Sequence, residues 1–86
     1  MYFEEHLSSI SDFLSGISKE NMSLVLEDIM TPQEIVEISE RFQIFKKLKS
    51  WQTQRDIASE MWVSVTTVSR GSRVLQFGKK AIHNYL

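Results

Sequence analysis

The sequence predicts an all-α protein of six short helices organised around a helix-turn-helix. Three observations carry that prediction. Apolar residues recur at helical spacing along nearly the whole chain, and no stretch alternates as a half-buried strand would. Helix boundaries are marked by caps and breakers, namely Gly16, Thr31-Pro32, Thr53, Ser64 and Gly78. Between Gln54 and Arg73, two short helical patterns meet at a tight break over Trp62 to Ser64.

The first helix is expected over Phe3 to Gly16, where Leu7, Ile10, Phe13 and Leu14 form one apolar stripe and Gly16 suits a stop. Ser18 opens a second segment holding Met22, Leu24, Val25, Leu26, Ile29 and Met30. Those residues cover more than one face, and a helix apolar nearly all round must be buried on several sides. One small protomer offers little to bury it, so packing between subunits is expected. Thr31-Pro32-Gln33-Glu34 is a helix start: Thr31 caps, Pro32 sits where its missing N–H costs nothing, and Glu34 completes a capping box. The third helix should run to about Lys49, with Ile35, Ile38, Phe42, Phe45 and Leu48 on one face. Lys46, Lys47 and Lys49 near its end complement the helix dipole and are also available to phosphates.

Ser50 to Gln52 is a connector and Thr53 the cap of the fourth helix. In that helix Ile57 and Met61 share a face, and Ala58 is small enough for another helix to cross closely. Ser64 caps the fifth helix, with Val65 and Val68 pointing inward and Thr66, Thr67, Ser69 and Arg70 outward. Thr and Ser are poor helix formers, so this outer face is not optimised for stability. Short hydroxyl side chains and Arg can, however, reach base edges and phosphates in a major groove. The pattern implies first helix, turn and recognition helix. The competing reading is an ordinary helical hairpin with a polar exposed face. Phe77-Gly78 ends the fifth helix, and Lys79 to Leu86 offers a last short one with Ile82, Tyr85 and Leu86 apolar.

With 86 residues, the chain is expected to be one helical DNA-binding domain over 1–86, too small to be robust without oligomerising. Core helices are expected over 1–50 and 79–86, with the helix-turn-helix over 53–77. A hydrophobic content of 42% with 24% charged residues fits a folded protein. There is no cysteine, hence no disulfide framework and no thiolate metal site, which is compatible with a reducing cytoplasm. Met1 to Ile10 has no signal-peptide pattern, and no segment approaches a membrane span, so a cytoplasmic location without membrane contact is expected. The net charge of −1 divides unevenly. Residues 1–40 carry one Lys against nine Asp or Glu (1 − 9 = −8), and residues 41–86 carry nine Lys or Arg against Asp56 and Glu60 (9 − 2 = +7). The basic half holds the helix-turn-helix, which favours nucleic-acid contact over simple internal compensation.

The run Thr31-Pro32, Glu34, Arg41, Thr53-Gln54-Arg55-Asp56-Ile57, Val65-Thr66-Thr67-Val68-Ser69-Arg70-Gly71-Ser72 and Leu75 resembles the tryptophan repressor family. The likeness covers roughly residues 24–86, and the Arg70-Gly71-Ser72 triplet is its most specific part. Tyr85-Leu86 falls where the family has an aromatic-leucine pair, and the connector over Ser50 to Gln52 is one residue short. The resemblance implies a Trp-repressor-like intertwined homodimer, with a shared helical core and two reading heads on an operator in double-stranded DNA. It also implies a corepressor, L-tryptophan or a similar small aromatic amino acid, bound between core and head, and no other cofactor. Carried over by position, Arg41 and Arg70 would flank an indole ring. Arg70 would also meet the ligand carboxylate, and Thr67 and Gly71 would line the pocket. Backbone carbonyls near Ile29 and Met30 would face the ammonium group. The residues assigned to the ligand are therefore Arg41, Phe45, Thr67, Arg70, Gly71 and Val74. Those assigned to DNA are Gln54, Arg55, Thr66, Ser69 and Arg73, with Val65 included although the apolar pattern points it inward.

Three positions depart from the family pattern. Val74 replaces a serine near the ligand ammonium, Phe45 replaces a smaller apolar residue, and Trp62 stands in the turn where glycine is usual because φ is often positive. Arg73 with Phe77-Gly78 is similar to less studied relatives that use another ligand or none. His6 and His83 have no partners at metal-ligand spacing and are expected at the surface, and no nucleophilic triad or phosphate-cradling loop is present. The protein is not expected to be an enzyme. Three readings stay open: a corepressor-controlled repressor, an orphan relative, and a helical protein-interaction module.

Overall fold

A computed structural model describes residues 2–86; Met1, the first residue of the expected domain, lies outside the described residues. The described residues form α1 (Phe3–Ser15), α2 (Lys19–Ile29), α3 (Pro32–Lys49), α4 (Gln54–Met61), α5 (Val65–Phe77) and a 3-10 helix, Ala81–Tyr85. There is no strand among them, so the fold is all-α. The sixth α-helix expected at the end is instead that five-residue 3-10 turn. Lys80 enters it in the left-handed region (φ 67), leaving too few residues for a run of i→i−4 bonds. The chain divides into two compact units, Met1–Ile35 and Val36–Leu86.

In the first unit, Gly16 follows α1 and Ser18 precedes α2, as the sequence predicts, although the Ser18 hydroxyl makes no cap bond. Neither α1 nor α2 has a buried residue in the single chain. Phe3, Leu7, Ile10 and Phe13 of α1 and Leu24 and Ile29 of α2 are all exposed. The unit ends in a capping box. The Thr31 N–H donates to Glu34 Oε1 at 2.9 Å, and the Glu34 N–H donates to Thr31 Oγ1 at 3.2 Å. The backbone N–H of Thr31, then its hydroxyl, hold the exposed Glu34 carboxyl below its ordinary value.

The second unit holds the core: Ile44, Ile57, Ala58 and Val68 are buried, with Leu48, Met61 and Val63 packed against them. Ile57 and Ala58 were legible from the α4 pattern, whereas Ile44 was not part of the stripe expected for α3. Phe42 of that stripe is 48% exposed, and Ile44 is 2% exposed. Two positions advance about 200° around a helix, so α3 has apolar residues on nearly opposite sides. The side holding Ile44 and Leu48 packs towards α5. Gly71 permits that approach: a Cβ there would stand 2.8 Å from Ile44 Cγ2 and 3.6 Å from Leu48 Cδ1.

Two tryptophans close helices in this unit. Trp51 has φ 66, its N–H donates to the Leu48 carbonyl, and the Gln52 N–H donates to that of Lys47. This is the double hydrogen-bond pattern of a Schellman stop, a place where glycine is usual. Trp62 has φ 59, and the Val63 N–H reaches back to the Ala58 carbonyl. The positive φ expected at Trp62 is thus present, and Trp51 adopts the same conformation with no glycine to signal it. After α5, the 3-10 turn is tied down by His83. Its Nε2 lies 2.9 Å from the Leu75 carbonyl oxygen, and its own carbonyl accepts from Lys49 Nζ at 2.9 Å. His83 is therefore half-buried, not the surface histidine expected.

Candidate functional site

α4 and α5 are joined by a short turn over Trp62 to Ser64, at the break that the spacing predicts. Thr53 caps α4 by accepting from the Asp56 N–H at 3.1 Å, and Ser64 caps α5 by accepting from the Thr67 N–H at 3.1 Å. Each cap satisfies an N–H that would otherwise point unpaired from the helix start. The buried Ile57, Ala58 and Val68 lock the two helices together.

The sequence-predicted contact residues occupy different settings on this unit. Arg55, Thr66 and Arg73 are exposed. Val65 is 49% exposed, so its inward placement in the apolar pattern does not hold and Val68 alone fills that role on α5's first turns. Gln54 and Ser69 are half-buried, and the Ser69 hydroxyl donates to Gln54 Oε1 at 2.6 Å. That bond links the start of α4 to the middle of α5 across fifteen residues, a pairing no local pattern could reveal. Of the lysines considered for phosphates, Lys47 pairs with Glu60 at 2.6 Å and Lys49 holds the His83 carbonyl. Lys46 has no ion pair among the described residues.

A second feature lies between α3 and α5. A cavity of about 470 Å³ is lined by Arg41, Ile44, Phe45, Thr67, Arg70, Gly71 and Val74. All six residues expected to line a ligand site thus come together, and Ile44 joins them unread. Its place three residues after Arg41 was the available signal, because that spacing puts both on one helix face. The cavity's floor is apolar, and Arg41 and Arg70 stand at its exposed edge. The two guanidinium groups form no ion pair among the described residues; Lys47–Glu60 is the pair present there. Gly71 serves the helix crossing first, since its missing side chain makes room for Ile44 itself. Phe45 is half-buried and lies beside Gly71, with Cε1 at 3.6 Å from the position a Cβ would take. Val74 brings no hydrogen-bonding group to the lining. Such a site suits a small, partly apolar ligand carrying an anionic group, because each guanidinium offers planar donors to a carboxylate and a cationic face to a ring.

No group of three His, Cys, Asp or Glu side chains suited to a metal is present among the described residues. No helix among the described residues is long and apolar enough to cross a membrane.

Comparison with known proteins gives a consistent result. The family model described as Trp repressor protein matches residues 5–86, extending the likeness to α1. Proteins named "Trp operon repressor homolog" from Xylella fastidiosa strains M23 and Temecula1 are each 37% identical over 60 residues. The match takes in 69% of this chain and 65% of each of those proteins. The homologue from strain 9a5c is identical to the same extent. No solved structure matches the chain.

Proposed function

The chain belongs to the Trp repressor family, and from that premise we propose that it is a sequence-specific DNA-binding transcriptional repressor controlled by L-tryptophan or a similar small aromatic corepressor. The observation that carries the ligand half of this reading is the cavity between α3 and α5, where Arg41 and Arg70 stand unpaired among the described residues over an apolar floor. In this reading Arg41 and Arg70 flank the aromatic ring, Arg70 meets the carboxylate, and Phe45, Thr67, Gly71 and Val74 complete the wall. The cavity abuts the recognition helix, so a bound ligand braces α5 against α3 and sets the angle at which the head meets DNA. Its role is that of a regulator rather than a catalyst, acting in the cytoplasm on an operator in duplex DNA.

The DNA half rests on the exposed Arg55, Thr66 and Arg73 on one helix-turn-helix, inside a half-chain with a net charge of +7 (9 − 2). Thr66 and Val65 are assigned to base edges, and Arg55 and Arg73 to the backbone or bases. Gln54 and Ser69 act as a hydrogen-bonded pair that presents one combined donor–acceptor surface. We assign the active species as an intertwined homodimer in which 1–86 forms one domain, because the exposed apolar faces of α1 and α2 need a partner. Calorimetric titration with L-tryptophan, paired with operator binding with and without it, tests the whole reading. Corepression requires each ligand to raise affinity for the other by the same factor. Heat without any change in DNA affinity leaves a binder that is no switch.

A second reading is favoured by Val74. A ligand ammonium deprived of one hydrogen bond there loses about 1–3 kcal/mol, or roughly ten- to a hundredfold in affinity. An orphan regulator with another ligand or none then fits, and absence of heat with L-tryptophan selects it.

A further inference from the structure

The turn between α4 and α5 holds a residue in a conformation that its own chemistry disfavours. Trp62 closes α4 in the left-handed region (φ 59, ψ 40) and is 94% exposed. A bulky residue is strained there, and a ring left in water contributes no burial to offset the strain. Strain held at an exposed aromatic side chain points to a surface that something else covers. Resting on the DNA reading above, we propose that Trp62 is a DNA-contact residue. Its indole lies on the sugar–phosphate backbone beside the recognition helix and clamps the duplex without reading its sequence.

The position of Trp62 selects the partner. Arg55, Ser59 and Trp62 follow one another at spacings of four and three, the interval that lines positions up along one side of a helix. All three are exposed. At about 1.5 Å per residue, Trp62 stands about 10 Å along this row from Arg55. In a helix-turn-helix the first helix crosses the DNA backbone while the second enters the groove. A row on α4 that starts with a guanidinium and ends with an indole therefore runs along phosphates rather than base edges. Trp62 also precedes by two residues the Ser64 cap of α5, and the positive end of that helix favours a phosphate close by. Val65, at 49% exposure, continues the apolar surface towards the groove. Indole suits such a contact, with an apolar face to cover deoxyribose and one N–H to donate to a phosphate oxygen. Residues 41–86 carry a net charge of +7 (9 − 2). A second copy docking here would set like charges together, whereas a duplex brings the opposite sign.

The test measures stability and DNA affinity on the same variants of the full chain. The probe is a duplex that the native chain selects from a randomised pool, with and without L-tryptophan. Trp62→Gly and Trp62→Asn both remove the ring, and both new residues tolerate the left-handed backbone. Without DNA, each should melt at or above the native temperature. Each should nevertheless bind the selected duplex about tenfold more weakly, the size of one hydrogen bond together with ring burial. The loss should be the same on a mixed-sequence duplex, and the salt slope should not change, because a neutral ring displaces no counterion. Trp62→Phe, which keeps a ring but has no N–H, should retain part of the affinity. A purely structural role would lower melting temperature and affinity together, so their opposite movement separates the two. A fall in melting temperature with loss of dimer on sedimentation assigns the indole to the subunit interface and overturns the proposal. Unchanged DNA affinity in both ring-less variants also overturns it and leaves the DNA reading standing. A native chain that selects no duplex removes both.

Discussion

Gly71 and Trp62 are the two residues whose backbone setting says most. At Gly71 the constraint is space. An added Cβ at 2.8 Å from the Cγ2 of buried Ile44 meets a stiff, β-branched side chain that cannot swing away. Overpacking of this kind costs about 1–3 kcal/mol, against about 1 kcal/mol gained in helix propensity. Gly71→Ala should therefore lower the urea midpoint and weaken ligand binding, and pairing it with Ile44→Ala should cost less than the sum of the two single changes. At Trp62 the constraint is conformation. The residue is 94% exposed, so its ring gains nothing from burial to offset the left-handed backbone. A non-glycine residue there carries about 1–2 kcal/mol of strain, while glycine gives back roughly 0.5–1 kcal/mol in unfolded-chain entropy. Trp62→Gly should raise the melting temperature modestly. A fall would show that the indole makes a contact in the assembled protein that the single chain does not contain.

At the scale of elements, the helix starts are the best-determined features. Thr31 with Glu34, Thr53 and Ser64 each place a side-chain oxygen on an N–H three residues on. Replacing any one by Ala should cost about 0.5–2 kcal/mol in denaturant unfolding. The Thr31–Glu34 box adds a pH dependence with a definite sign. The folded state holds the Glu34 carboxyl below its ordinary value of 4.5, so the unfolded chain binds the proton more readily. The stabilisation is thus complete above that value and is lost as pH falls through the lower, folded-state value. Glu34→Gln should flatten the acid limb of the stability profile, and an unchanged limb would assign it to other carboxylates. Helix ends were less legible. Trp51 occupies a glycine's conformation with no sequence sign of it, and the last helix shortened to a 3-10 turn because its anchors, His83 on Leu75 and Lys49 on His83, come from remote elements.

For the whole molecule, the decisive fact is that α1 and α2 have no fully buried residue in the single chain. Exposed apolar faces on this scale mark an interaction surface. Sedimentation at micromolar dilution should show a dimer, and the melting temperature should rise with protein concentration. A folded monomer under those conditions would remove the proposed assembly. The DNA reading has its own whole-molecule test. Removing one phosphate-contacting cation should weaken binding to all sequences and lower the salt slope by about one unit, whereas Thr66→Ala should shift sequence preference. Arg73 and Lys46 are better choices for the first change than Lys47 or Lys49. The latter two are already engaged, and their removal would disturb the fold as well.

Six of the cavity's lining residues were implied only by the family resemblance, whereas by itself the sequence determined the all-α class, the helix order, the caps and the break between α4 and α5. Those features are local: a cap acts over three residues and a helical face repeats every three or four, so both are written in adjacent letters. Only the tertiary structure decided which face of α3 is buried, because two apolar faces are equivalent until a partner helix selects one. It likewise decided that Gly71 accommodates Ile44, that Ser69 binds Gln54, and that Arg41 and Arg70 stand unpaired among the described residues over an apolar floor. Each depends on residues far apart in sequence whose distance is set by how α3, α4 and α5 pack, and packing is a property of the ensemble of side chains rather than of any one stretch.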